Sequence, residues 1–116
     1  MRIAFDGFMQ ECITFKSALA STDELKPVKI SASSTVALSA DTQQIHGKAI
    51  KVEKDGAVTV QLKGYVEFTY SGADPAVGYA KLAADGTGKV KVDATNGREF
   101  LVMKVDTTAK VVGFLL

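Results

Sequence analysis

Three turn dipeptides, Asp55-Gly56, Asp85-Gly86 and Asn96-Gly97, punctuate the stretch from Ile45 to Leu116, and the segments between them alternate between apolar and polar residues. A glycine after Asp or Asn supplies the positive φ that a tight hairpin needs, so the pattern confines this stretch to antiparallel β structure. Asp55-Gly56 is expected to form a two-residue type I′ turn. Short strands at close spacing, separated by turns, predict an all-β fold: a small β-barrel or sandwich. A chain of 116 residues fits one domain built around one core.

The clearest alternation runs from Val58 to Tyr70. Val58, Val60, Leu62, Val66, Phe68 and Tyr70 fall on one face, and Thr59, Gln61, Lys63, Tyr65, Glu67 and Thr69 on the other. The run is long for one strand, and Gly64 within it predicts a bend where the strand turns a barrel corner. Before it, Gly47 to Lys54 places Ile50 and Val52 inward. After it come strands over Tyr79 to Ala83, Lys89 to Asp93, Arg98 to Val105 and Val111 to Leu116. Phe100-Leu101-Val102-Met103 is apolar on both faces, so one face fills a core and the other is left to meet something else. Phe114-Leu115-Leu116 needs neighbours on both sides, because an apolar edge strand invites aggregation.

The first half carries weaker signals. Residues 1–11 fit no period and read as an extended arm bearing Ile3, Phe5, Phe8 and Met9, which either lies on a neighbouring molecule or lets Phe5 and Phe8 cover one end of the protein's own core, and 12–116 remain as a single barrel domain. Cys12 to Lys16 is a short strand, with Cys12 half-buried on it. Ala18 to Leu25 is a polar connector with a helical turn capped by Ser21 or Thr22. Pro27 puts the strand from Lys26 to Ser31 at an edge or makes it start just after the proline, with Val28 and Ile30 facing inward.

Composition excludes several kinds of chemistry. Fourteen Lys and Arg against thirteen Asp and Glu give a formal charge of +1. A protein living on phosphate contacts carries a basic excess. No apolar run approaches the ~20 residues of a membrane helix. Arg2, Asp6 and Glu11 break up any secretory signal, so synthesis is expected in the cytoplasm. One cysteine and one histidine, His46, cannot assemble a His/Cys zinc site or a Cys-His relay. His46 is expected in a solvated loop. Asp85-Gly86-Thr87-Gly88-Lys89 lacks the spacing and the following helix of a phosphate-binding loop, and reads as a hairpin. Neither catalytic residues nor cofactor or metal ligands emerge.

Ile45-His46-Gly47-Lys48-Ala49 leading to Asp55-Gly56, then Val58 to Val66 with Gly64, Gly78-Tyr79 through Gly88-Lys89-Val90, and Arg98 to Leu116 follow in an order that resembles small tailed-phage capsid decoration proteins. The resemblance spans residues 45–116. It implies a non-enzymatic cement protein with a β-barrel or β-tulip fold, commonly trimeric. Such a protein sits on the exterior of the virion, at local three-fold positions of an expanded head, with the major capsid protein as its partner. On that expectation Tyr65, Tyr79, Leu101, Met103 and Phe114 line the contact between copies, and the arm residues Ile3, Phe5, Phe8 and Met9 bind the capsid by strand pairing. No cofactor, nucleic acid or membrane partner is implied. Two rivals remain. One is a small-barrel module binding single-stranded nucleic acid or a glycan through Tyr65, Tyr70 and Tyr79. The other is a further virion component such as a tail protein.

Overall fold

The computed structural model describes residues 11–116, and the arm residues Ile3, Phe5, Phe8 and Met9 lie outside that range. Ten strands follow in order: β1 (Glu11–Lys16), β2 (Pro27–Ala32), β3 (Thr35–Leu38), β4 (Gly47–Val52), β5 (Ala57–Lys63), β6 (Tyr65–Thr69), β7 (Gly78–Ala84), β8 (Val90–Val92), β9 (Arg98–Asp106) and β10 (Val111–Leu115). They make a closed barrel in the order β1-β3-β2-β4-β5 and a second, five-stranded sheet in the order β6-β10-β9-β7-β8. The all-β, small-barrel expectation therefore holds.

Gly64 divides the long alternating run into β5 and β6, and with them the two lobes. Its φ of 97° belongs to the left-handed region that a side chain disfavours. The chain uses this residue to leave the barrel and enter the second sheet, a larger change than a corner within one barrel. The second sheet then curls until its two ends meet at a parallel bridge between Tyr70 and Val90, where Ser71 N–H donates to Val90 O at 3.0 Å.

Buried side chains accordingly gather in two clusters where chain length predicts one. The barrel encloses Val28, Val36, Ala49, Val52, Val58 and Val60. The second sheet wraps around Val66, Phe68, Tyr70, Leu82, Val90, Phe100, Val102, Val112 and Phe114. Ile45, from the connector between β3 and β4, is fully buried in this second cluster. Around it Thr42 N–H donates to Ala84 O, Ala84 N–H donates to Gln43 O, and Lys91 pairs with Asp41 at 2.6 Å. The chain thus visits the second lobe once before β4 and again after Gly64, and the two crossings lock the lobes together.

Several local expectations change for identifiable reasons. In β4 a bulge between Ala49 and Lys51 inserts Ile50 as an extra residue, so Ala49 and Val52 face inward in place of Ile50 and Val52. Ile30 is 47% exposed because β2 pairs with β4 only through Pro27 and Val28, and the β2–β3 ribbon projects beyond the barrel. The barrel closes between β1 and β3 through one residue pair, Lys16 with Thr35, which leaves most of β1 exposed, Cys12 included.

Turn chemistry differs too. At Asp55-Gly56 only the glycine has positive φ (90°), and Gly56 N–H donates to Glu53 O while Glu53 N–H donates to Ala57 O. This is a type I turn with a bulge glycine, one residue longer than the expected I′ turn. The Asn96-Gly97 turn is organised from upstream, by the Asp93 carboxylate accepting from Thr95 N–H and Asn96 N–H. The short 3₁₀ turn at Ser21–Asp23 starts after Ala20, and the Asp23 carboxylate reaches back to Ala20 N–H in place of a Ser21 or Thr22 cap.

Candidate functional site

The register of the second sheet sets Tyr65, Leu115, Leu101 and Tyr79 in one cross-strand row: Tyr65 opposite Leu115, Leu115 opposite Leu101, and Leu101 opposite Tyr79. Their neighbours Val66, Phe114, Val102 and Phe100 point inward. Alternation therefore puts the row on the outer face. Tyr79 and Val77 are each 72% exposed, and Leu101, Met103 and Leu115 are half-buried. Met103 reaches this region because a bulge opposite Gly113 and Phe114 gives β9 an extra residue there. The outcome is an apolar stripe across β10, β9 and β7.

Charged side chains border the stripe on both sides. Lys81 and Glu99 form the next cross-strand pair beyond Tyr79 and Leu101. On the opposite border Glu67 and Lys104 form an ion pair at 3.4 Å. An apolar strip between charged rims has the anatomy of a protein-docking surface.

Of the residues expected to line a contact between copies, Tyr79, Leu101 and Met103 come together on this face. Phe114 does not. It is fully buried, with its ring 4.7 Å from that of Phe100 and 5.7 Å from that of Phe68, so it belongs to the core. Tyr65 starts on the outer face but is only 4% exposed, because its ring folds over Gly113, where a Cβ would collide with it. Its hydroxyl donates to Glu67 Oε2 at 2.8 Å, so Tyr65 is spent on the fold's own packing. Leu115 is an addition that strand register supplies and single-strand alternation does not.

The tyrosine platform of the ligand-binding alternative is not assembled. Tyr70 is buried, its hydroxyl donating to Asp74 Oδ1 at 2.6 Å. That bond first, and burial second, push its pKa up to about 12. Lys110 completes the group, 3.2 Å from Asp74 and over the Tyr70 ring. With Tyr65 also buried, Tyr79 alone of the three is available for stacking.

Other groups with chemical potential are occupied structurally. The Asp85 carboxylate accepts from Ser71 Oγ, Thr87 N–H, Thr87 Oγ1 and Lys89 N–H, so the Asp85-Gly86-Thr87-Gly88-Lys89 loop wraps its own anion. Burial works against that charge, and the hydrogen bonds outweigh it and hold the pKa below the usual aspartate value. His46 is exposed, as expected, and its Nδ1 accepts Ile30 N–H at 2.9 Å, continuing the β2–β4 ladder with a side chain. A cleft of about 470 Å³ between the lobes is lined by Leu25, Lys26, Lys48, Phe68, Lys89 and Val111 among others. Among the described residues no group of three or more His, Cys, Asp or Glu is placed to hold a metal ion. No family model matches the chain, and no significant match appears among curated proteins.

Proposed function

We propose that this chain is a non-catalytic structural protein that docks on another protein's surface, and that it serves as the capsid decoration protein its residues 45–116 resemble. The observation that carries the docking part is the stripe of Tyr79, Leu101, Met103 and Leu115, an apolar surface on a sheet whose inner face already holds a complete core. Leaving such a surface in water costs about 25 cal/mol per Å² relative to covering it. A partner that covers it gains that free energy.

The decoration reading adds a mechanism. A protein that binds the expanded shell, and neither the procapsid nor free subunits, stabilises the shell by about RT ln(1 + [L]/Kd) at each site. Repeated over the many equivalent sites of a lattice, modest affinity at each gives a large resistance to internal pressure. In this reading the copies form trimers at local three-fold positions, on the virion exterior, against the major capsid protein.

Adding the purified chain to expanded heads and to procapsids, then measuring bound mass on each, tests this. Saturable loading of expanded heads alone is the expected result. Equal loading of both particles, or none on either, contradicts it. Deleting residues 1–10 asks separately whether the arm contributes, and unchanged loading by the truncated chain removes it from the account.

A further inference from the structure

We infer that Asn96 is a site of self-modification, at which the main-chain nitrogen of Gly97 attacks the Asn96 side chain and expels ammonia, and that Asp93 holds this reaction shut while the turn is folded.

Asn96 is the only asparagine of the chain, it is exposed, and a glycine follows it. Glycine sets no side chain beside its own nitrogen, so that atom can approach the preceding Cγ closely. Water is the only co-reactant. Gly97 N gives its proton to water and bonds to Asn96 Cγ, the Cγ–Nδ2 bond breaks, ammonia leaves, and a five-membered imide remains. Water then opens the ring at one of its two carbonyls. Breaking the bond from Gly97 N to Cγ leaves aspartate. Breaking the bond from Gly97 N to the main-chain carbonyl leaves isoaspartate, whose main chain is longer by one carbon.

The fold needs this glycine where it stands. Leu82 of β7 pairs with Val92 of β8 on one side and with Arg98 of β9 on the other, so residues 93–97 cross over β7. Asp93 N–H donates to Lys81 O at 3.0 Å, and a Cβ on Gly97 would stand 2.9 Å from Leu82 N. The crossing therefore has no space for a side chain at 97. Isoaspartate at 96 lengthens the main chain beside this closest approach, and so works against the β7–β9 pairing that carries Tyr79 and Leu101.

Asp93 opposes the attack in three ways. Its main-chain oxygen accepts Gly97 N–H at 2.9 Å, which occupies the nucleophile. Its carboxylate accepts Thr95 N–H at 3.0 Å and Asn96 N–H at 2.9 Å, and its second oxygen lies 3.4 Å from Asn96 Nδ2, so the side-chain amide is tied to Asp93. Its negative charge also stands beside the atoms on which negative charge must build during the attack, which disfavours that state. Attack waits for the turn to open, and its rate follows the population of the open turn.

Incubating the full chain at mildly alkaline pH, folded and in guanidinium chloride, tests this through a gain of about 1 Da in the tryptic peptide of residues 92–98. Folded wild type is expected to convert at least about tenfold more slowly than the unfolded chain. Folded Asp93→Ala, which keeps the main-chain acceptor and loses the carboxylate, is expected to convert at least about threefold faster than folded wild type. Asp93→Asn keeps an acceptor oxygen without the charge and falls between the two. Thermal unfolding verifies that each variant is folded, and Asp93→Asn decides if Asp93→Ala is not. Asn96→Gln gains no mass in this peptide over the same period. Equal rates in folded and unfolded wild type overturn the inference, as does no gain of mass in either state, an equal gain in Asn96→Gln, or folded Asp93 variants that convert no faster than wild type.

Discussion

The two lobes solve the same problem with different materials. The barrel is filled by Val and Ala and closes through a single residue pair between β1 and β3. The second sheet is filled by Phe68, Tyr70, Phe100 and Phe114, with rings packed against one another, and it keeps an apolar stripe on its outside as well. Aromatic side chains bury ~150–250 Å² each, far more than a valine. The second lobe therefore buries the larger side chains, and it is also the one that carries the apolar stripe. Strand pairing on both sides of β9 fixes Tyr79 and Leu101 side by side, an arrangement that would lower the entropy cost of the proposed docking.

The sharpest way to break this comparison is to hollow each core in turn. Phe114→Ala is expected to cost about 3–5 kcal/mol, since it removes a ring from the centre of the second cluster. Val60→Ala in the barrel costs less, about 2–3 kcal/mol. Equal losses in denaturant titrations of the two variants would show that the lobes do not differ as described.

A smaller effect tests the outer face. Gly113→Ala places a methyl group where the Tyr65 ring lies, and the resulting overpacking costs about 1–3 kcal/mol. In the Gly113→Ala/Tyr65→Ala double variant the clash is gone, so the two losses do not add. Additive losses would mean that the ring does not depend on the missing side chain.

Titration acts on the second lobe from both ends of the pH range. Asp74, Asp85 and Asp93, all in the second lobe, are held below the ordinary value of 3.8. The hydrogen bond from Tyr70 is the main cause for Asp74, and the Asn96 N–H for Asp93. In Asp85 the bonds from Ser71, Thr87 and Lys89 prevail over burial. A carboxylate with a depressed folded pKa contributes stability that is fully present above its unfolded value and lost as pH falls through the folded one. Amides of residues 71–97 are therefore expected to lose exchange protection as pH falls below about 4. Tyr70 works in the opposite direction. Its pKa is raised from 10.0 to about 12, so its contribution is complete below pH 10.0 and disappears as pH rises through about 12. A phenolate absorbance step near pH 12 that Tyr70→Phe removes is the expected observation, and an unchanged titration curve in that variant would refute it.

The smallest effect sharpens the contrast between core and surface. Tyr79→Ser lies on the exposed stripe and is expected to shift stability by no more than about 0.5 kcal/mol while reducing docking. A large loss of stability would place Tyr79 in the fold and not in a contact.

Much of the fold is legible in the sequence because hairpins announce themselves locally. Asp55-Gly56 and Asp85-Gly86 do turn the chain, and Val58, Val60, Val66, Phe68 and Tyr70 all face inward. Turn type is less legible, since it depends on groups outside the dipeptide. Asp93 lies three residues before Asn96, yet its carboxylate decides that turn. Bulges hide as well, and one at Ala49–Lys51 shifts the inward positions from Ile50 to Ala49. The division at Gly64 looks like a corner because alternation continues across it. Only the long-range pairing of β5 with β1 and of β6 with β10 reveals two sheets.

The candidate site was partly readable for a related reason. Phe100 to Met103 is apolar on both faces, which marks β9 as a strand with an outward task and brings Leu101 and Met103 into view. Alternation alone cannot foresee that Tyr65 lies down over Gly113, a glycine on a strand far along the chain. Nor can it place Phe114, whose neighbours Leu115 and Leu116 are equally apolar. Register decides which of them faces out.

Hydrogen exchange of the full chain, free and bound to expanded heads, tests most directly whether the outer face of the second sheet is the working surface. The account predicts new protection over residues 77–81 and 99–103, with the barrel strands β1 to β5 little changed. Protection confined to the barrel, or none on either lobe, would contradict it.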